Sequence, residues 1–176
     1  MVAALACAGC GGEPATSGQT TATSKIATGW SRVEPRRLPD LQGAGTSLIP
    51  VPPGLSLSGE AGRPVLVNLW AGWCHPCVKE LPLLQAAESR QELSVVGVSK
   101  DVRRSTATSR LKAAAITYPN WMDPDGAYLR GLDGLVPAFA IPSSLLVVDG
   151  MVVATHVGPF ANADDLAGFR RYVASS

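Results

Sequence analysis

The apolar residues of the chain are concentrated in short runs that predict alternating strands and helices. Residues 65–70 form an apolar run, which is typical of a strand buried on both faces. Val78, Leu81 and Leu84 follow at helical spacing and predict a helix with one face toward the core. Residues 93–99 predict a second buried strand. Together these elements predict a β-α-β unit with a parallel strand pair.

The second half of the chain predicts helices followed by a hairpin. Residues 103–115 are rich in alanine and predict one helix, and residues 126–132 predict a shorter one. Two apolar runs, residues 144–148 and 151–155, flank an Asp-Gly pair, which is a strong indication of a tight hairpin. We therefore expect two adjacent antiparallel strands here.

A final helix is predicted to begin after Asn162, because this residue type caps helix N-termini. Leu166, Phe169 and Val173 would share its core-facing side. The complete order of elements predicts an α/β fold in which a central mixed β-sheet is flanked by helices.

The N-terminal residues differ in composition and predict an extension to the folded domain. Residues 1–10 are small and apolar, too few to span a bilayer, and look like the end of an export signal. Residues 11–35 are predicted to be a flexible tether, since their first half has no large apolar side chain. The domain is predicted over residues 36–176, with short edge strands at 38–41 and 47–49.

Length and charge narrow the classes of function. A chain of 176 residues suits one domain with appendages. Its 15 Lys and Arg residues nearly balance its 14 Asp and Glu residues, for a net charge of +1. A basic surface that would neutralise a phosphate backbone is not implied, so nucleic acid is not an expected partner.

Four cysteines occur as two C-x-x-C pairs, Cys7 with Cys10 and Cys74 with Cys77. Four thiolates could hold zinc, but the first pair lies within the apolar leader, far along the chain from the second, so no metal site is predicted.

Cys10 follows small residues and precedes two glycines, which resembles a bacterial lipobox and predicts lipid attachment at Cys10. Lipidation of Cys7 and simple cleavage of the leader are the alternatives.

Cys74 and Cys77 follow the first buried strand and open the predicted helix. The positive end of a helix stabilises a thiolate and can lower a cysteine pKa from about 8.5 to about 3.5–7.5. Cys74 is therefore the predicted nucleophile, and Cys77, one turn further in, the resolving thiol. Pro76 suits the first helical turn, and a charged His75 would favour the thiolate, unless it is only a solvated loop residue.

Four sequence blocks resemble the thioredoxin-like family, and within it the extracytoplasmic TlpA/ResA/DsbE branch. These blocks are Val67-Asn68-Leu69-Trp70-Ala71-Gly72-Trp73-Cys74-His75-Pro76-Cys77, Glu80-Leu81-Pro82, Val95-Val96-Gly97-Val98 and Ile141-Pro142-Ser143-Ser144. The resemblance covers residues 36–176 and implies a thioredoxin-like fold with a redox-active Cys74–Cys77 disulfide and no other cofactor.

The resemblance also implies a cis-proline that faces the cysteines and offers backbone to a substrate strand. Pro142 is the candidate because a buried run begins directly after it, and Pro137 is the alternative. Ile141, Pro142 and Trp73 are therefore the predicted substrate-binding residues.

A buried carboxylic acid in cytoplasmic thioredoxins helps to deprotonate the second cysteine, and Asn68 occupies that place here. Since an amide cannot take a proton, Glu80, three residues after Cys77, is the predicted base. Its alternative is an ordinary solvated helix carboxylate. His156, at the end of a strand, is predicted to be structural rather than catalytic.

These expectations describe a membrane-tethered, extracytoplasmic protein-disulfide reductase. Its expected partners are exported proteins that carry disulfides or dithiols, such as apocytochrome c, together with a membrane electron donor and the membrane itself through a lipid anchor. An oxidase of secreted thiols is the alternative on the same chemistry. A copper-delivery protein, with Cys74, Cys77 and a histidine binding Cu(I), is the alternative from another class.

Overall fold

A computed structural model describes residue 1 and residues 28–38, 47–49, 63–132, 134–137 and 139–174, with residues 47–49 described by their backbone alone. In chain order its strands and helices are β1 (Gly29–Arg37), β2 (Ser47–Ile49), β3 (Val65–Trp70), α1 (His75–Ser89), β4 (Ser94–Ser99), α2 (Arg104–Ala113), β5 (Asn120–Met122), α3 (Ala127–Gly131), β6 (Ser143–Val148), β7 (Met151–Val157), α4 (Ala163–Ala167) and α5 (Arg170–Val173).

The strands within these ranges form one mixed sheet in the order β1-β7-β6-β3-β4-β5-β2. Strands β3, β4 and β5 are parallel to one another, and the remaining neighbours are antiparallel. The predicted β-α-β unit and the predicted hairpin are both confirmed, by the β3–β4 and β6–β7 pairs. Strand β3 lies at the centre of the sheet. The cysteines follow its carboxyl end and therefore lie near the middle of that end of the sheet.

Both faces of the sheet are covered. Alternate side chains of β3 enter two separate hydrophobic clusters, as the two-residue period of a strand requires. One cluster contains Leu66 and Trp70 and is covered by α1, α2 and α4, and the other contains Val65, Val67 and Leu69 and is covered by α3. This two-sided burial explains the uninterrupted apolar run from which the strand was predicted.

Strand β5 was not predicted from the sequence. It has only three residues, and its pairing with β4 depends on a close approach at Gly97. The side chain of Asn120 covers Gly97 so tightly that a Cβ atom there would lie 1.8 Å from Asn120 Oδ1. The same oxygen accepts a hydrogen bond of 3.0 Å from Trp70 Nε1, so this contact also fixes the large indole of the central strand.

The domain boundary predicted at residue 36 is wrong, because β1 begins at Gly29. The sequence of β1 is charged and contains Pro35, so it was assigned to the tether, but as an edge strand it needs only one partner, β7. The predicted strand at 47–49 is confirmed at the opposite edge. Of the strand predicted at 38–41, residues 39–41 lie outside the described residues.

The single C-terminal helix predicted after Asn162 is present as two short helices, α4 and α5. Asn162 caps α4 as predicted, since its Oδ1 accepts the backbone N–H of Asp165 at 2.9 Å. The interruption comes from tighter turns, in which the N–H groups of Phe169 and Arg171 donate to carbonyls three residues earlier. Within the described residues no helix is long and apolar enough to span a bilayer.

Candidate active site

Cys74 and Cys77 form a disulfide at the start of α1, with sulfurs 2.06 Å apart. Cys74 is the N-cap residue, and the backbone N–H of Cys77 donates to Cys74 Sγ at 3.3 Å. Cys74 is 6% exposed to solvent, and Cys77 is fully buried. Cys74 is therefore the more accessible of the two cysteines. Its sulfur accepts a hydrogen bond from a helix N–H and lies at the positive end of the helix.

Gly72 precedes Trp73 and Cys74, and its backbone N–H and carbonyl groups both form hydrogen bonds with side chains. Its N–H donates to Asp101 Oδ2 at 2.7 Å, and its carbonyl accepts from Arg110 Nε at 3.1 Å. Asp101 is 1% exposed and also accepts a hydrogen bond from Ser99 Oγ. A Cβ atom at Gly72 would lie 3.0 Å from Thr106 Cγ2, so this close packing favours glycine.

The segment before β6 lies against the disulfide. The carbonyl oxygen of Ile141 is 3.9 Å from Cys74 Sγ, and the Ile141–Pro142 peptide is cis. Within the described residues the cis bond is at Pro142 and not at Pro137, the alternative weighed from the sequence. Trp73 beside Cys74 is 66% exposed, so it offers an apolar surface next to the reactive sulfur.

Glu80 is a buried carboxylic acid on the same side of α1 as Cys77, one turn further along. It is 2% exposed, so it is not the solvated carboxylate that was the alternative interpretation. Asn68 Nδ2 donates to Glu80 Oε1 at 2.8 Å, and the backbone N–H of Phe160 donates to Oε2 at 3.0 Å. Burial raises the pKa of Glu80 from 4.5 to about 7, although both hydrogen bonds act in the opposite direction.

Residues 38–170 match the family model described as Redoxin. The chain belongs to the redoxin family.

Solved structures confirm the thioredoxin-like fold of this redoxin. A DsbF homologue from Corynebacterium diphtheriae has a TM-score of 0.58 at 26% identity, over 75% of this chain and 82% of that one. A thiol:disulfide interchange protein DsbE from Chlorobium tepidum has a TM-score of 0.53 at 28% identity, over 65% of this chain and 80% of that one.

Relatives of known name include the thiol:disulfide interchange protein CycY of Rhizobium leguminosarum, 31% identical over 62% of this redoxin and 58% of CycY. Sporulation thiol-disulfide oxidoreductase A of Bacillus subtilis is 27% identical over 56% of this chain and 61% of its own length. DsbE of Escherichia coli is 34% identical over 55% of this chain and 51% of its own length. The redoxin therefore spans about half to three fifths of the curated relatives it matches.

The structure brings most of the predicted site residues of the redoxin together. Cys74 caps the helix that contains Cys77 and Glu80, and the carbonyl oxygen of Ile141, which precedes the cis-Pro142, lies 3.9 Å from Cys74 Sγ. His75 and Pro76 are exposed at the start of α1, as their place in the first turn requires. Cys7 and Cys10 lie outside the described residues. Within the described ranges no three His, Cys, Asp or Glu side chains are grouped as metal ligands.

Sequence reasoning missed Asp101, Arg110 and the Phe160 amide. Asp101 follows a buried parallel strand next to the one that carries the cysteines, and that position could have indicated a side chain near the site. Neither Arg110 nor the amide of Phe160 has a local pattern, because each acts on a residue far away in the sequence.

Proposed function

We propose that this redoxin is an extracytoplasmic thiol-disulfide oxidoreductase that reduces disulfides of exported proteins. The observation that carries the proposal is the Cys74–Cys77 disulfide at the N-terminus of α1, with buried Glu80 one turn away. Relatives named thiol-disulfide oxidoreductase or interchange protein support the same chemistry.

In the reaction, the Cys74 thiolate attacks a partner disulfide and forms a mixed disulfide, while one partner sulfur leaves as a thiolate. Cys77 then loses its proton to Glu80 and attacks Cys74 Sγ, which releases the second partner sulfur. The partner gains two electrons and this protein becomes the disulfide. A base with a pKa of about 7 suits this proton transfer at neutral pH, whereas Asn68 cannot accept the proton.

The proposal extends to substrate and location. The leading substrate is apocytochrome c, whose thiols must be reduced before haem attachment. The electron donor is a membrane protein. A lipid attached to Cys10 anchors the protein to the membrane. Ile141 and Pro142 would pair with the substrate backbone, while Trp73 would contact apolar side chains beside its cysteine.

Trapping of mixed disulfides tests the assignment of the two cysteines. We expect Cys77→Ser to accumulate covalent complexes with exported proteins, because nothing then resolves the bond to Cys74. Cys74→Ser is the matched control and should accumulate none. Non-reducing gels of membrane and periplasmic fractions, followed by mass spectrometry, give the result. Complexes on Cys74→Ser alone would reverse the roles, and none on either variant would contradict the proposed function.

Equilibration with dithiothreitol or glutathione buffers tests the direction of electron flow. The negative charge of Glu80 near the cysteines opposes thiolate formation, which makes the dithiol a better reductant. We expect a reduction potential nearer to roughly −270 mV than to roughly −120 mV. A value above about −160 mV would instead make the protein an oxidase of secreted thiols.

A further inference from the structure

One short segment after β7 contacts both halves of the site. The N–H of Gly158 donates to the carbonyl of Pro142 at 2.9 Å, on the substrate-facing segment. Two residues later the N–H of Phe160 donates to Glu80 Oε2 at 3.0 Å. Residues 158–160 therefore link the residues that face the substrate with the proposed base.

The conformation of this segment is held by the His156 side chain. Its Nδ1 lies 3.0 Å from the carbonyl oxygen of Gly158, so this nitrogen carries the proton and donates. The imidazole also stacks on the Phe160 ring, with centroids 4.1 Å apart. Gly158 has a φ of +96°, a conformation that glycine adopts readily and that the His156 hydrogen bond fixes.

The surroundings of His156 keep the imidazole in one place. The residue is 2% exposed, and Trp30 of β1 packs edge-on against it with centroids 5.2 Å apart. Trp30 Nε1 in turn donates to the carbonyl of Asp165 at 2.8 Å. The Asp165 carboxylate is 3.6 Å from His156 Nε2, and no described residue forms a hydrogen bond with this nitrogen.

We infer that His156 is a positioning residue for the thiol-disulfide reaction, because it holds the Phe160 amide on the Glu80 carboxylate. The inference rests on the proposed function of Glu80 as the base. His156 acts through residues 158–160 and does not touch the reacting sulfurs. Its removal should free the Phe160 N–H, and the carboxylate of Glu80 would then lose one of its two hydrogen bonds.

Titration of the disulfide form by NMR tests this inference without a partner and without titrating thiols. In the wild type, the Phe160 amide resonance should follow the ionisation of Glu80, and Glu80→Gln should abolish that response. His156→Phe keeps an aromatic ring but loses the donor. We expect it to lose most of the Phe160 response and to raise the Glu80 midpoint by about one pH unit, since a charged acceptor loses one hydrogen bond.

Matched variants separate positioning from stability. His156→Asn keeps a donor near the place of Nδ1 and should stay closer to the wild type than His156→Phe. Leu129→Ala, on the opposite face of the sheet, should destabilise the fold without moving the Glu80 midpoint. Among the described residues, Tyr118 titrates near Glu80 and Asp165 near His156, and both are unchanged in every variant.

A folded His156→Phe protein with wild-type Phe160 and Glu80 titrations would overturn the inference. If that variant does not fold, His156→Leu loses the same donor with a smaller side chain, and an unmoved Glu80 midpoint in it would overturn the inference equally. The trapping experiment uses other variants and the reduced protein. Failure of the proposed function and failure of this inference are therefore observed separately.

Discussion

Glu80 and Asn68 form a buried polar pair at the site, and the pair suits either charge state of the acid. Asn68 Nδ2 donates to Glu80 Oε1, while Asn68 Oδ1 accepts no hydrogen bond from the part of the chain that the structure describes. An asparagine can present either atom to a neighbour, so it could also accept from a protonated carboxyl group. An aspartate at position 68 would add a second negative charge and would disfavour ionisation of Glu80.

The raised pKa of Glu80 predicts a specific dependence of stability on pH. The folded state holds its proton up to about pH 7, whereas the unfolded chain releases it near pH 4.5. The folded state therefore binds more protons between these values, and the free energy of unfolding falls as pH rises through this window. Glu80→Gln has no such proton. Its stability relative to the wild type should increase by about 3 kcal/mol between pH 4.5 and pH 8.

Denaturant unfolding of the wild type and of Glu80→Gln, both in the disulfide form, at several pH values measures this difference in unfolding free energy. Burial lowers the pKa of His156, so this residue also contributes to the pH dependence of stability. The contribution is common to both proteins and cancels in the comparison. A difference in unfolding free energy that stays constant with pH would contradict the assignment of the raised pKa to Glu80.

The cysteines and Glu80 could be predicted because their spacing along one helix is visible in the sequence. The partners of Glu80 could not. Asn68 was identified only through the resemblance, and the Phe160 amide is 80 residues away in sequence. A backbone donor carries no side-chain pattern, so only the folded chain reveals it.

At the scale of elements, the β3–α1 connection is held by a buried carboxylate from the neighbouring β4–α2 connection. Asp101→Ala would leave the Gly72 N–H without its acceptor. We expect it to destabilise the protein by about 1–3 kcal/mol and to speed amide exchange at Gly72. Asp101→Asn keeps an acceptor oxygen and should lose less. Equal losses in the two variants, or unchanged exchange at Gly72, would show that this contact does not hold the connection.

Elements with strong local patterns were predicted well, and those defined by distant partners were not. Strands β3, β4, β6 and β7 are apolar because they are buried on both faces. Strand β1 is largely exposed and charged. Its strand conformation follows from pairing with β7 and from its own Trp30, which packs against the core. The division between α4 and α5 likewise follows from local turns that a helical period does not distinguish.

At the scale of the whole molecule, the sheet has edges that differ in length. Among the strands that the structure describes, β1 forms one edge with nine residues, several of them charged, and β2 forms the other with three. Charged side chains, a proline and a shift in register between Arg32 and Arg36 make β1 a poor template for another strand. Among the described strands, this edge is therefore poorly suited to pairing with a strand of another chain.

The direction of β1 also decides at which end of the sheet its first residue lies. Gly29 is aligned with Val157, Val157 with Ser143, and Ser143 with Leu69, so β1 starts in the row of the sheet where β3 ends. Three strand spacings place Gly29 about 14 Å from Leu69. An anchor before Gly29, as proposed for Cys10, would therefore be attached at the end of the sheet that also carries Cys74. Proteins fixed to that same surface would then meet Cys74 at a higher effective concentration than freely diffusing proteins would.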